Sequence, residues 1–177
     1  VPGVAQRTGA TTYYIEILPE RRKPDDKRPI FALTPTSGEV DLMVATELAE
    51  AARAVSMGFV TTDRTTLIAA THRVYTTDEK IGMGDGRLDP AKLMKTLEAG
   101  AKTAILFDAA EAARRSKTVI NAVMLGAIAA TGILKIDADE FVAAIDEEGK
   151  AVRSNLAGFR MGYAIAKGEQ PSPDAPD

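Results

Sequence analysis

The chain has no cysteine, no tryptophan and a single histidine, and aromatic residues make up only 5% of it. Without cysteine there can be no disulfide, no thiolate-held iron–sulfur cluster and no thiol nucleophile. With His72 as the sole imidazole, Ser-His-Asp chemistry has one place where it could be assembled. Neither sign of charge prevails. A net charge of -3 offers no general attraction to nucleic acid or to an acidic membrane surface. The apolar run TVINAVMLGAIAAT (118–131) is too short to cross a bilayer. No signal peptide, transit peptide or transmembrane span is visible, so a cytoplasmic setting is the default expectation.

What is present suits one ordinary globular domain. The 177 residues are 45% apolar and 27% charged, enough for a sizeable core and far from a disordered composition. The chain opens in Val-Pro-Gly rather than Met, which suggests a piece of a longer protein. Its organising stretch is the apolar run at 118–131. Val119, Ile120, Val123, Met124, Leu125, Ala127, Ile128 and Ala130 cover every face at helical spacing, as in a helix surrounded by protein. Asn121 is the strong polar group inside it. As a buried amide it should be hydrogen-bonded, to a neighbouring backbone, a ligand or a subunit.

Taken in order, residues 11–18 (TTYYIEIL) are β-branched and aromatic and read as a strand. A charged, proline-interrupted loop follows at 19–29. Its Arg21, Arg22, Lys23, Lys27 and Arg28 are interleaved with acids and read as solvated surface rather than a basic patch. Residues 40–45 (VDLMVA) read as a buried strand, 47–57 as a helix with Leu48, Ala51, Ala52 and Val55 inward and Gly58 as its stop, and 65–71 (TTLIAAT) as a second buried strand. Strand, helix and strand within about thirty residues is the size of a parallel crossover unit. Gly82, Gly84 and Gly86 mark a turn whose spacing matches neither a dinucleotide nor a P-loop fingerprint. Asp89 and Pro90 then open a helix to about Ala99, and 102–107 (KTAILF) is a third buried strand. Asp108, at its carboxyl end, is an N-cap by the plain reading and a ligand group by the other. Past Gly132 and Lys135, Asp137 caps a helix with Phe141, Val142 and Ile145 inward, ended by Gly149. The last helix, about 150–167, aligns Val152, Leu156, Phe159 and Tyr163, and Gly158 with Gly162 would let another backbone approach closely. The expected fold is a three-layer α/β domain over residues 1–166, with a mostly parallel sheet, helices on both faces and the C-terminal helices packed on it. Residues 167–177 have almost nothing to bury and should be disordered.

No paired carboxylates, metal-ligand spacing or activated nucleophile stands out, so neither a catalytic residue nor a metal ligand is nominated; His72 by itself reads as a surface or satisfied histidine. The opening VPGVAQRTGATTYY is the best candidate site. Gly3 and Gly9 permit close backbone approach, while Gln6 and Arg7 bring an amide and a forked cation that can hold a carboxylate, a phosphate or a partner's acid. The rival reading is a structural loop whose Arg7 caps a helix of the same domain.

Three ordered motifs carry a resemblance. GVAQRTGATTYYIEI resembles the G-x-A-Q-R-G-G segment and following strand of the gamma-type domain of 2-oxoacid:ferredoxin oxidoreductases. VINAVMLGAIAATGIL, then FVAAI and NLAGFRMGYAIA, resemble that domain's C-terminal pattern, and VDLMVATELAEAAR is similar to its strand and helix beginning at an Asp. Thr8 stands where the family usually has Gly and Gly158 where it usually has Ala. The strand, G-x-G-G-Q-G turn and helix that normally begin the domain are absent, which should leave the sheet with a place for a partner strand or helix. The resemblance implies part of a multisubunit enzyme that decarboxylates a 2-oxoacid, joins the acyl group to coenzyme A and passes electrons to ferredoxin. Thiamine diphosphate, Mg and the iron–sulfur clusters would sit on a partner subunit or domain, with none bound by this chain alone. It further implies that Gln6 and Arg7 lie nearest the cofactor or partner, in a loop shaped by Gly3 and Gly9, with Asn121 and Asn155 as lesser candidates. An arylpyruvate such as indolepyruvate is the implied substrate, no nucleic acid or membrane is involved, and a homo-oligomer is compatible. Two other readings stay open: a non-redox module binding coenzyme A or a nucleotide, and an assembly scaffold.

Overall fold

A computed structural model describes residues 12–18, 27, 29–72 and 90–169. Leu42–Ala45 (β1), Thr66–Ala70 (β2) and Thr103–Phe107 (β3) form a parallel sheet in the order β1-β2-β3, with Val44 opposite Ile68 and Ile68 opposite Ile105. The runs are short and apolar, as strands covered on both faces must be. Leu48–Ser56 (α1) carries the chain from β1 to β2, and Pro90–Gly100 (α2) leads into β3. Right-handed crossovers that step along a sheet in one direction put their helices on the same face. Accordingly α1 and α2 share a core with one side of the sheet, where Leu48, Ala51 and Leu97 are buried against Ala45, Leu67 and Ala69.

The side chains that alternate with these point the other way, because the strand period is two. Ile68 and Ala70 are buried against Ala109, Met124 and Ala127. The helices covering that face are Ala109–Arg115 (α3) and Ile120–Thr131 (α4), followed by Ala138–Glu148 (α5) and Val152–Ala166 (α6). The result is the expected three-layer α/β arrangement with the C-terminal helices on the sheet. At the amino ends of the strands, the buried Thr65 hydroxyl donates to the Val40 carbonyl at 2.8 Å and accepts from the Thr61 amide at 3.0 Å, pinning β2 to the entry of β1.

Helices α4 and α6 lie nearly backbone to backbone. A Cβ added at Gly126 would overlap the Phe159 carbonyl and stand 2.9 Å from the Tyr163 amide nitrogen; one added at Gly162 would overlap the Val123 carbonyl, with its carbon at 2.7 Å. Gly158 would drive a Cβ into the Thr118 methyl and stand 3.2 Å from Ala122 Cβ. The close approach foreseen for Gly158 and Gly162 is therefore made to α4, with Gly126 as its counterpart. Such contact lets whole helical surfaces meet at van der Waals distance. Gly132 and Gly149 end α4 and α5 in the left-handed conformation.

Three sequence expectations need correction. The strand expected at 11–18 is not paired: residues 12–18 form no strand, and Tyr13, Ile15, Ile17 and Leu18 are exposed. Strand preference is realised only where a ladder and a surface to bury are available, and among the described residues the three strands pair with one another. Asn121 is exposed rather than buried. Helix α4 buries Ala122, Val123, Met124, Gly126, Ala127, Ala129 and Ala130, leaving a line through Asn121, Leu125 and Ile128 facing out in full or in part. Asp137 occupies the N-cap position of α5, but its side chain makes no capping hydrogen bond; its backbone carbonyl accepts from the Glu140 amide instead. Among the described residues no helix is long and apolar enough to cross a membrane. The glycine turn at 82–86, Asp89 and residues 170–177 lie outside the described residues.

Candidate functional site

Parallel strands deliver their carboxyl ends to one edge, and in this sheet that edge carries Thr46 and Glu47 after β1, Thr71 and His72 after β2, and Asp108 after β3. This is where an open α/β sheet exposes chain to a ligand. The Thr71 amide donates to the Phe107 carbonyl at 2.8 Å, extending the β2–β3 ladder up to His72. His72 is half-buried, and among the described residues its buried Nδ1 has no hydrogen-bond partner. Asp108 is exposed and accepts from the Glu111 amide at 2.8 Å, so the N-cap reading holds. Helix α1 also starts at this edge, with Glu47 at its N-cap position making no side-chain cap.

The opposite, amino edge is closed by charge pairs. Arg64 donates Nε to Asp41 at 2.8 Å and pairs with Glu39, and the hydrogen bond and charge of Asp41 raise the pKa of the guanidinium further above its usual value. These exposed pairs steady the turn before β2.

The C-terminal helices contribute a second region. Asn155 is half-buried and uses both ends of its amide: Oδ1 accepts from the Thr118 hydroxyl at 2.8 Å, and Nδ2 donates to the Lys150 carbonyl at 3.0 Å. It thereby ties the entry of α4 to the entry of α6, a structural task. On the outer side of α6, Val152, Arg153, Leu156 and Arg160 line an open groove of about 430 Å³. Arg153 and Arg160 are exposed, and among the described residues neither pairs with a carboxylate. Two cations beside an apolar wall suit an anion with an apolar portion. Sequence reasoning passed over them; their seven-residue spacing on an amphipathic helix was the available signal.

Of the residues nominated from sequence, Gly3, Gln6, Arg7 and Gly9 lie outside the described residues, and Asn121 stands on the open line of α4 and takes no part in the bond between Thr118 and Asn155. The donors do not fit an iron–sulfur cluster, because the sequence contains no thiolate. Among the described residues no three His, Asp or Glu side chains come together to hold a metal ion.

A family model described as Pyruvate ferredoxin/flavodoxin oxidoreductase matches residues 1–165. The chain belongs to that family, and so is a subunit or domain of a 2-oxoacid:ferredoxin oxidoreductase. Complexes of this family use thiamine diphosphate and iron–sulfur clusters. No curated protein and no solved structure matches the chain.

Proposed function

We propose that the chain is the gamma-type domain of an indolepyruvate ferredoxin oxidoreductase, of the kind found in the beta subunit in its long bacterial form, and that it acts on arylpyruvates as part of a larger complex. In that complex the 2-oxoacid is decarboxylated, the acyl group passes to coenzyme A and electrons go to ferredoxin. The carrying observation is the match over residues 1–165 to a family whose clusters this cysteine-free chain cannot ligate. Its own contribution is surface and shape: it packs against the thiamine- and cluster-bearing part and borders the entrance to the active site. The open line of α4 supports an interface role, since Leu125 and Ile128 are only half-covered beside exposed Asn121, and Val119 is 60% exposed. Gln6 and Arg7, in a loop shaped by Gly3 and Gly9, are assigned to the cofactor or partner because an amide and a forked cation can clamp a phosphate or carboxylate.

Co-expression with the thiamine- and cluster-bearing part tests this reading. A brown complex that reduces ferredoxin with indolepyruvate and coenzyme A is expected, and Arg7→Ala should lower turnover while assembly persists. A colourless chain that joins no complex, or a complex that prefers pyruvate, would overturn the assembly or the substrate assignment respectively. The α6 groove favours a second reading, a module holding coenzyme A or a nucleotide against Arg153 and Arg160. Saturable heat in calorimetry, lost in Arg153→Ala, would support it.

A further inference from the structure

Helix α6 ends in a turn that brings the chain back against its own last residues. Gly168, in the left-handed region at φ 75°, donates its amide to the Ile165 carbonyl at 2.9 Å, and the Glu169 amide donates to the Ala164 carbonyl at 2.9 Å. This pair of bonds sets Glu169 over Ala164. Arg153, Arg160 and Ala164 share one side of α6, since steps of seven and four residues return to the same face of a helix, and Leu156 lies beside them. The chain therefore leaves α6 over the side that carries the groove of Val152, Arg153, Leu156 and Arg160. At the far end of that side the helix start is incomplete. The first turn of α6 carries no acid, and Ala151 at its N-cap position supplies no side-chain bond. A carboxylate is stabilising at such a place.

The residues that follow, 170–177, read QPSPDAPD, with three prolines, two aspartates and no cation. We infer that residues 170–174 return along α6 as a strap over the groove, with Pro173 against Leu156 and Asp174 against Arg153. Length selects this register. A proline-rich chain advances about 3.1 Å per residue, which carries Pro173 about 12 Å and Asp174 about 16 Å from Glu169. At about 1.5 Å per helical residue, Leu156 stands about 12 Å and Arg153 about 16 Å from Ala164. Asp174 then meets both the Arg153 guanidinium and the acid-free first turn. Prolines lose little freedom on being ordered, and the tether holds the aspartate at an effective concentration in the millimolar range. An exposed ion pair is weak and is screened by salt, so the strap opens as well as closes. It acts as a gate: an anion entering the groove must displace Asp174 from the guanidinium it would use. This device rests on charge and reach along α6 and does not depend on the oxidoreductase reading.

The absence of cysteine supplies a direct test on the full chain. Ser172→Cys combined with Ala157→Cys, exposed beside the groove, places two thiols within reach when the strap is closed, and the rate of their disulfide formation under diamide at low salt reads the closed population. Arg153→Glu in that background should slow the reaction about two- to fivefold, the range an exposed ion pair supports. Adding Asp174→Arg should restore the rate, because the pair is re-formed with its charges exchanged. Inorganic pyrophosphate should slow closure more than sodium chloride at equal ionic strength, by competing for the same arginines. Circular dichroism should be unchanged throughout, since the altered side chains are exposed or lie beyond α6. The inference is overturned if Arg153→Glu leaves the rate as it was, or if the exchanged pair does not restore it. It is equally overturned if pyrophosphate does no more than sodium chloride.

Discussion

Replacing Gly162 by alanine sets two known effects against each other. Gly162 lies inside α6, and alanine there improves helix propensity by about 1 kcal/mol. The new Cβ would overlap the Val123 carbonyl of α4, with the carbonyl carbon at 2.7 Å and Val123 Cα at 3.1 Å. All of these are backbone atoms, which cannot rotate aside as a side chain can, so α4 and α6 must separate along the contact. Overpacking a tight core site costs about 1–3 kcal/mol, and a backbone obstacle belongs at or above the upper end. The clash wins by about 2–3 kcal/mol, which for a chain of this size lowers Tm by about 4–12 °C. Thermal unfolding followed by circular dichroism reads the shift. Gly100→Ala is the control, because its Cβ would meet only the Val55 methyls, at 3.2 and 3.7 Å; its Tm should hardly move. Gly126→Ala should resemble Gly162→Ala, and the double variant should cost less than the sum, since helices already forced apart have less to lose. A Gly162→Ala protein as stable as the parent would refute the close-contact account.

Further outcomes follow from other contacts. Asn155→Ala removes the amide's bond to Thr118 at the entry of α4 and its bond to the Lys150 carbonyl at the entry of α6, and should lower unfolding free energy by about 1–2 kcal/mol in urea titration; combined with Thr118→Val the losses should not add, because the two side chains share one bond. Asp108→Ala should cost about 1 kcal/mol by uncapping α3, while Asp108→Asn, which keeps an acceptor for the Glu111 amide, should cost only a few tenths; equal costs would argue against a cap. The Asp63 carboxyl is held below its usual pKa of 3.8, first by the Thr61 hydroxyl and then by backbone. A carboxyl with a depressed folded pKa contributes stability that is present above its unfolded pKa and disappears as pH falls through the folded one. The stability gap between parent and Asp63→Asn should therefore be constant near neutrality and close below about pH 4, with a gap that widens in acid as the contrary result.

Local pattern and chain order determined much of this protein. Alternating apolar runs and amphipathic stretches specified β1, α1, β2, α2 and β3, and connections of that length between sequential strands require a parallel sheet with α1 and α2 on one side. Gly132 and Gly149 marked helix ends because only glycine enters the left-handed region without a steric cost. The family was legible too, through motifs spread over the length that the family model matches. Which side of each element is covered was not contained in any local pattern. Residues 11–18 have every preference of a strand, yet pairing is a property of two segments, and among the described residues 12–18 join neither β1 nor β3, the edges of the sheet. Asn121 sits in an apolar run and still faces out, because α4 turns its small residues toward the sheet and α6 and leaves Leu125 and Ile128 on the same open line. Arg153 and Arg160 became a candidate site only once α6 was placed with them on its free side. Composition and spacing fix what each element can be, whereas burial depends on which surfaces meet, and that is decided by packing among segments far apart in the chain.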